Sequence, residues 1–232
     1  MLVGPGIVAA ASVTLASVSG MNAAATLFLI LAVTCAVIHW WSVAIKRRSI
    51  LLVTKPLTMV LLIGLAASIE TTAGASRAWF IAALVLSLAG DVFLMLEPDQ
   101  FIAGLASFLA AHLAYIIGLV LAGFGPIAVL VALAAAIALF PVIGRPILAG
   151  ARAADDRLAM PVAAYIAVIS AMVVAAAATT TLLAVAGATS FFGSDAVLGW
   201  NRFVKGIPRG RLITMITYHT GQTLLVLSLV AL

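Results

Sequence analysis

Charge is scarce in this chain. Of 232 residues, 12 are Lys or Arg and 7 are Asp or Glu, 8% in all, where an ordinary soluble domain carries about 25%. So few polar side chains cannot cover a water-facing surface. A soluble enzyme, a secreted scaffold, a nucleic-acid binder and a disordered chain are therefore excluded. Cysteine is nearly absent too. The single Cys35 lies inside an apolar run, which excludes a disulfide framework and a Cys-rich metal site. What is present is apolar: 66% of residues are hydrophobic and the mean hydropathy is +1.32. The net charge of +5 sits in a few short runs between apolar stretches and is no nucleic-acid signal. The composition leaves an all-α, polytopic transmembrane helical bundle.

A bilayer-crossing helix needs roughly 20 apolar residues. Eight core spans fit, at about 22–45, 51–67, 78–96, 101–123, 125–144, 160–182, 184–200 and 212–231. Several begin or end at breakers: Pro98, Gly123-Phe124-Gly125-Pro126, Pro141, Pro146 and Pro161. The runs are too long and too uniformly apolar for a transmembrane β-barrel. Residues 22–232 read as one domain. Residues 1–21 form a separate apolar segment, diluted by Gly4, Pro5, Gly6 and several Ser/Thr. An extra helix, an interfacial helix and a leader all stay open for it, although no positive n-region marks a signal peptide.

Basic residues orient the spans. Lys46, Arg47, Arg48 and Lys55 fall at the first connection, Arg145, Arg152 and Arg157 at the fifth, and Arg202, Lys205, Arg209 and Arg211 at the seventh. Only Arg77 falls on the other side. Connections one, three, five and seven are thus expected in the cytoplasm of a bacterial-type inner membrane. Glu97, Asp99, Asp155 and Asp156 read as solvated loop charges. His39, beside Trp40 and Trp41, reads as an interface anchor.

The exceptions lie inside spans. Asp91, Asp195 and Lys55 each cost about 2.5–3.5 kcal/mol to place mid-bilayer, and His112 and His219 accompany them. At 1.5 Å of rise per residue, Asp91, Asp195 and Tyr165 lie about 8 Å from the cytoplasmic ends of their spans, Lys55 about 6 Å, His219 about 10 Å and His112 about 16 Å. Antiparallel helices thus bring their polar residues toward one layer in the cytoplasmic half. His112 and Tyr115 share a helix face at i, i+3, as do His219 and Gln222. Tyr218 precedes His219, and Ser194 adjoins Asp195. Each also has a structural reading: Lys55 as a snorkelling side chain, the histidines as helix–helix hydrogen-bond partners.

Five motifs in order then carry a resemblance: Lys55-Pro56-Leu57-Thr58, Leu88-Ala89-Gly90-Asp91, Phe101 to Phe108 continuing to His112 and Tyr115, Gly187-Ala188 through Ser194-Asp195 to Leu198, and Tyr218-His219-Thr220-Gly221-Gln222. Over about residues 22–232 the chain resembles the YhhN family of integral membrane proteins, whose characterised members are lysoplasmalogenases. The resemblance implies hydrolysis of a lysoplasmalogen vinyl ether to a fatty aldehyde and a glycerophospho-alcohol. It places the family's motif aspartates at Asp91 and Asp195.

Vinyl ether hydrolysis asks for a proton donor to carbon and an anion beside the resulting oxocarbenium ion. Paired carboxylates serve a related cation in glycosidases. Asp91 and Asp195 are the expected catalytic pair, in either order. His112 or His219 would relay protons, Tyr165, Tyr218 and Gln222 would bind glycerol or water, and Lys55 with nearby arginines would hold phosphate. The expected partners are a vinyl ether lysophospholipid and the bilayer, with no cofactor. A Zn²⁺-dependent lipid hydrolase built on the same Asp and His residues is an alternative. So is a proton-coupled transporter or lipid-binding protein.

Overall fold

The computed structural model describes residues 21–232 except Glu97 and Asp99. The segment 1–21 expected as a separate unit lies, but for Met21, outside the described residues. The helices are α1 (Ala23–Ala44), α2 (Arg48–Ser68), α3 (Gly74–Phe93), α4 (Phe101–Ala122), α5 (Pro126–Leu139), α6 (Arg145–Ala154), α7 (Ala159–Ala178), α8 (Leu182–Phe203) and α9 (Gly210–Ser228). No strand occurs among the described residues.

Seven helical segments are long and apolar enough to cross a membrane, with α5 and α6 forming one of them, Pro126–Ala154. The eighth expected span, α9, is less apolar because it carries the polar residues of the last motif. It packs along α8 and against α1 and α2, and buries Thr214, Tyr218, His219 and Gln222. A polar transmembrane stripe is stable only when it faces protein or a wet cavity. The chain is a multi-pass helical membrane protein.

Two expected breaks are corrected, and a third, at Pro161, stands. Pro141 and Pro146 do not end the fifth span. A π-helical turn, Phe140–Gly144, carries the chain into α6, with the Arg145 N–H bonded to the Phe140 carbonyl. Wider i→i+5 turns absorb the ring clash and lost donor that a proline brings to an α-helix. Arg145 and Arg152 therefore lie on a helix rather than in a loop. Pro161 sits in the first turn of α7, where its missing N–H has no intrahelical acceptor to lose.

Small residues set how closely the helices approach. A Cβ on Gly187 of α8 would lie 2.7 Å from the Leu225 amide nitrogen of α9, and one on Gly221 would lie 2.8 Å from the Phe191 nitrogen. Only hydrogen side chains allow this backbone contact. It fixes the register that brings the Phe191 ring against Tyr218, with centroids 5.2 Å apart. At the opposite end of α2, Asn22 accepts from Ala25 N at 2.8 Å, capping α1, and donates to the Ser68 carbonyl at 2.8 Å, tying α1 to the end of α2. In α5, by contrast, no residue from Pro126 to Leu139 is buried. It packs mainly on α7 and presents Leu130, Val131 and Ile137 outward, as a lipid-facing wall does.

Candidate active site

The helices enclose a cavity of about 590 Å³, with Lys55, Asp91, Tyr165, Ser194, Asp195 and Tyr218 on its wall. Apolar residues from the Pro126–Ala154 helix, among them Leu139, Phe140 and Ile143, complete the lining. Its size and character suit an amphiphile, with a mostly apolar wall and a few convergent polar groups.

The two carboxylates are held differently. Asp91, at the end of α3, receives the Lys55 ammonium of α2 on Oδ1 at 2.8 Å and the Tyr218 hydroxyl of α9 on Oδ2 at 2.8 Å. Lys55 is buried, so it does not snorkel toward water. Three helices meet in this one ion pair, and both carboxylate oxygens are used. Asp195, on α8, has no Lys or Arg partner among the described residues. Its Oδ2 accepts the Tyr165 hydroxyl of α7 in a short hydrogen bond, and His112 Nε2 of α4 stands 3.8 Å from the same oxygen. Ser194 reaches Oδ1 only at 3.4 Å. The site therefore contains one carboxylate bound to a cation and one bound to neutral donors.

The helix ends differ from those expected, and so do the depths. Asp91 lies two residues from the end of α3 and Lys55 seven residues into α2, about 3 and 10 Å along their axes. The two still meet, because helices of different tilt and offset are joined by contact rather than by equal depth.

The other expected residues fall behind the wall. His112 packs edge-on to Tyr165 (ring centroids 5.3 Å apart) and against Phe191 (4.7 Å). Tyr115 donates to the Gln222 amide oxygen, and both are buried away from the cavity lining. His219 also sits behind, its Nδ1 accepting from Trp40 Nε1 at 3.1 Å. These groups pack behind the wall residues and are not part of the cavity lining.

One residue is misplaced by the sequence reading. His39 is no interface anchor: it is fully buried and lines the cavity, with Nδ1 3.0 Å from Thr54 Oγ1. Trp40 is also turned inward, and only Trp41 is exposed, at 56%. Adjacent residues on a helix point about 100° apart, so an inward pair and an outward Trp41 fit one helix. Arg211 and Asn201 line the cavity as well. Among the described residues, no group of three or more His, Cys, Asp or Glu side chains is placed to hold a metal ion.

A multi-helix membrane protein with a mainly apolar cavity that holds two carboxylates is the class that fold and site define. Residues 50–229 match the YhhN family, and the chain belongs to it. It is 33% identical over 156 residues to "Lysoplasmalogenase TMEM86B" of Mus musculus, covering 67% of this chain and 65% of that protein. The Homo sapiens protein of the same name is 33% identical over 146 residues, 63% of this chain and 61% of its own. "Lysoplasmalogenase" of Mycobacterium tuberculosis is 35% identical over 156 residues, 61% of this chain and 56% of its own. The matches thus span between 56% and 65% of the length of these relatives, less than two thirds in each case. No solved structure matches the chain.

Proposed function

We propose that this protein is a membrane-embedded hydrolase that cleaves the vinyl ether bond of lysoplasmalogens, releasing a fatty aldehyde and a glycerophospho-alcohol. The names of the relatives supply the substrate class. The observation that carries the chemistry is the unequal setting of the two carboxylates in one cavity. Asp91, clamped by the Lys55 ammonium and the Tyr218 hydroxyl, is the standing anion. Asp195, held by a phenol and a hydroxyl, is the proton donor.

In this reading Asp195 transfers its proton to the chain carbon β to the ether oxygen, and the alkene electron pair forms the new C–H bond. The resulting oxocarbenium ion lies in the field of the Asp91 carboxylate, which costs no reorganisation because its partners already fix it. Water adds to the cationic carbon and returns a proton to Asp195. The hemiacetal then collapses: its hydroxyl proton leaves, the glycerol oxygen takes a proton, and the C–O bond breaks. Tyr165 holds Asp195 in place through both proton transfers, and His112 packs the Tyr165 ring. Lys55 is committed to Asp91, so the arginines on the same wall, Arg211 and Arg202, are the cations placed to attract phosphate. The alkenyl chain lies along the apolar residues of the Pro126–Ala154 helix. By the distribution of basic residues, the site belongs to the cytoplasmic half of a bacterial-type inner membrane.

The test is aldehyde release by purified protein from lysolipids carrying a vinyl ether, a saturated ether or an ester. Release from the vinyl ether alone is expected. Equal release from the ester, or none from the vinyl ether, overturns the reading.

A further inference from the structure

Two buried histidines have ring nitrogens that the proposed chemistry leaves unused. The His39 and His219 rings meet edge to face, with centroids 5.1 Å apart, and neither Nε2 has a hydrogen-bond partner among the described residues. Their neighbours, including a Trp40 N–H shared at 3.1 Å between the Met215 carbonyl and His219 Nδ1, point to one placement of the ring hydrogens. An indole N–H only donates, so Trp40 Nε1 at 3.1 Å makes His219 Nδ1 the acceptor and leaves the His219 hydrogen on Nε2. Thr54 gives its hydroxyl hydrogen to the Ile50 carbonyl at 2.8 Å, so toward His39 it can only accept. The His39 Nδ1 at 3.0 Å therefore carries the ring hydrogen, and His39 Nε2 is a bare lone pair. His219, against the back of the His39 ring, holds it in place.

His39 lines the cavity together with Lys55, Asp91 and Arg211. It thus stands at the polar end of an otherwise mainly apolar wall, with Nε2 buried and unpartnered among the described residues. A desolvated acceptor favours a ligand that brings an O–H and disfavours one that cannot. We propose that His39 Nε2 accepts a hydrogen bond from the free secondary hydroxyl of a one-chain glycerophospholipid, and so selects one-chain over two-chain lipids. This rests on the reading of the substrate given above. In such a lipid the hydroxyl-bearing carbon lies between the phosphate arm and the vinyl ether arm. A hydroxyl seated on His39 would then direct one arm to Arg211 and the other to the carboxylates. His39 is a specificity-determining residue in this scheme, not a proton donor.

The experiment compares two saturated-ether lysophosphatidylethanolamine probes, one with the free secondary hydroxyl and one with that oxygen methylated. Binding to the full-length protein is measured in detergent, with no turnover required. Wild type should prefer the free hydroxyl by about tenfold in Kd, the scale of one buried hydrogen bond. In His39→Phe the ratio should fall to near one, and His39→Gln, which keeps an acceptor, should restore part of it. Thr54→Val removes the group that orients the ring and should reduce the ratio without replacing His39, which provides a second variant if His39→Phe does not fold. The same pair of vinyl ether lipids, compared by kcat/KM, should show the same ratios. A wild-type ratio near one, an undiminished ratio in folded His39→Phe or Thr54→Val, or an equal loss on both lipids in His39→Phe (as expected if His39 held the attacking water) overturns the assignment. Hydroxyl-dependent binding without aldehyde release would overturn the proposed hydrolysis while sparing the role of His39.

Discussion

The Lys55–Asp91 pair is the best place to test whether the site is built as described. Replacing Lys55 with Met keeps an unbranched apolar side chain and removes the ammonium that stands 2.8 Å from Asp91 Oδ1, where the two side chains are 8% and 1% exposed. Taking away one member of a buried pair leaves an uncompensated charge and costs about 3–5 kcal/mol. Here the Tyr218 hydrogen bond survives and Asp91 can take up a proton, so the lower end, about 3 kcal/mol, is expected. For a chain of this size that is a fall in Tm of roughly 6–12 °C. Aldehyde release should vanish as well, because a protonated Asp91 no longer stabilises a cation. The double variant Lys55→Met with Asp91→Asn removes both charges. It should recover most of the Tm, since a buried ion pair replaced as a unit is often neutral, yet stay inactive. Thermal melts of the two single variants and the double variant in one detergent form a double-mutant cycle. A Lys55→Met protein that melts with wild type, or a double variant that melts no higher than the single one, would refute the buried-pair argument. Retained turnover in Lys55→Met would refute the anion role of Asp91.

Three further outcomes follow from the same geometry. Asp195→Asn should abolish aldehyde release and leave the Tm within a few degrees of wild type, since the amide oxygen still accepts from Tyr165; wild-type rates in this variant would remove Asp195 as the proton donor. Tyr165→Phe should lower kcat about tenfold, the scale of one buried hydrogen bond, with little change in KM, and a change confined to KM would make Tyr165 a binding residue instead. Gly221→Val would drive a side chain into the α8 backbone, where even a Cβ stands 2.8 Å from Phe191 N. It should reduce folded yield in size-exclusion profiles, whereas Gly193→Ala, with open space at its Cβ, should behave as wild type.

How much of the site was legible follows from what each residue does in the unpartnered chain. Asp91, Asp195 and Lys55 stand out because a charge within an apolar run has a high solvation cost wherever it sits, so burial can be inferred before any partner is known. His39 did not stand out. A neutral ring next to two tryptophans carries no such cost, and a membrane interface suits it as well as a cavity wall does. The helix ends were misread at Pro141 and Pro146 because proline signals a break through local sterics, while the π-helical turn that accommodates both depends on the whole backbone path. Gln222 was expected to bind glycerol or water, yet it is bonded to Tyr115 outside the cavity lining. Spacing gives the face of a helix but not what that face meets.

The sequence by itself determined the class of protein, the order of its apolar helices, the scarcity that isolates the intramembrane charges, and the family to which the chain belongs. These follow from local quantities: the hydropathy of a run, the cost of a charge within it, the residues of a motif. Only the tertiary structure decided which aspartate has the lysine, which has the tyrosine and the histidine, and that His39 faces the cavity. Those are contacts between α1, α2, α3, α4, α7, α8 and α9, helices far apart along the chain. They are set by how closely glycine-lined surfaces let the backbones approach and by which polar group each side chain meets first.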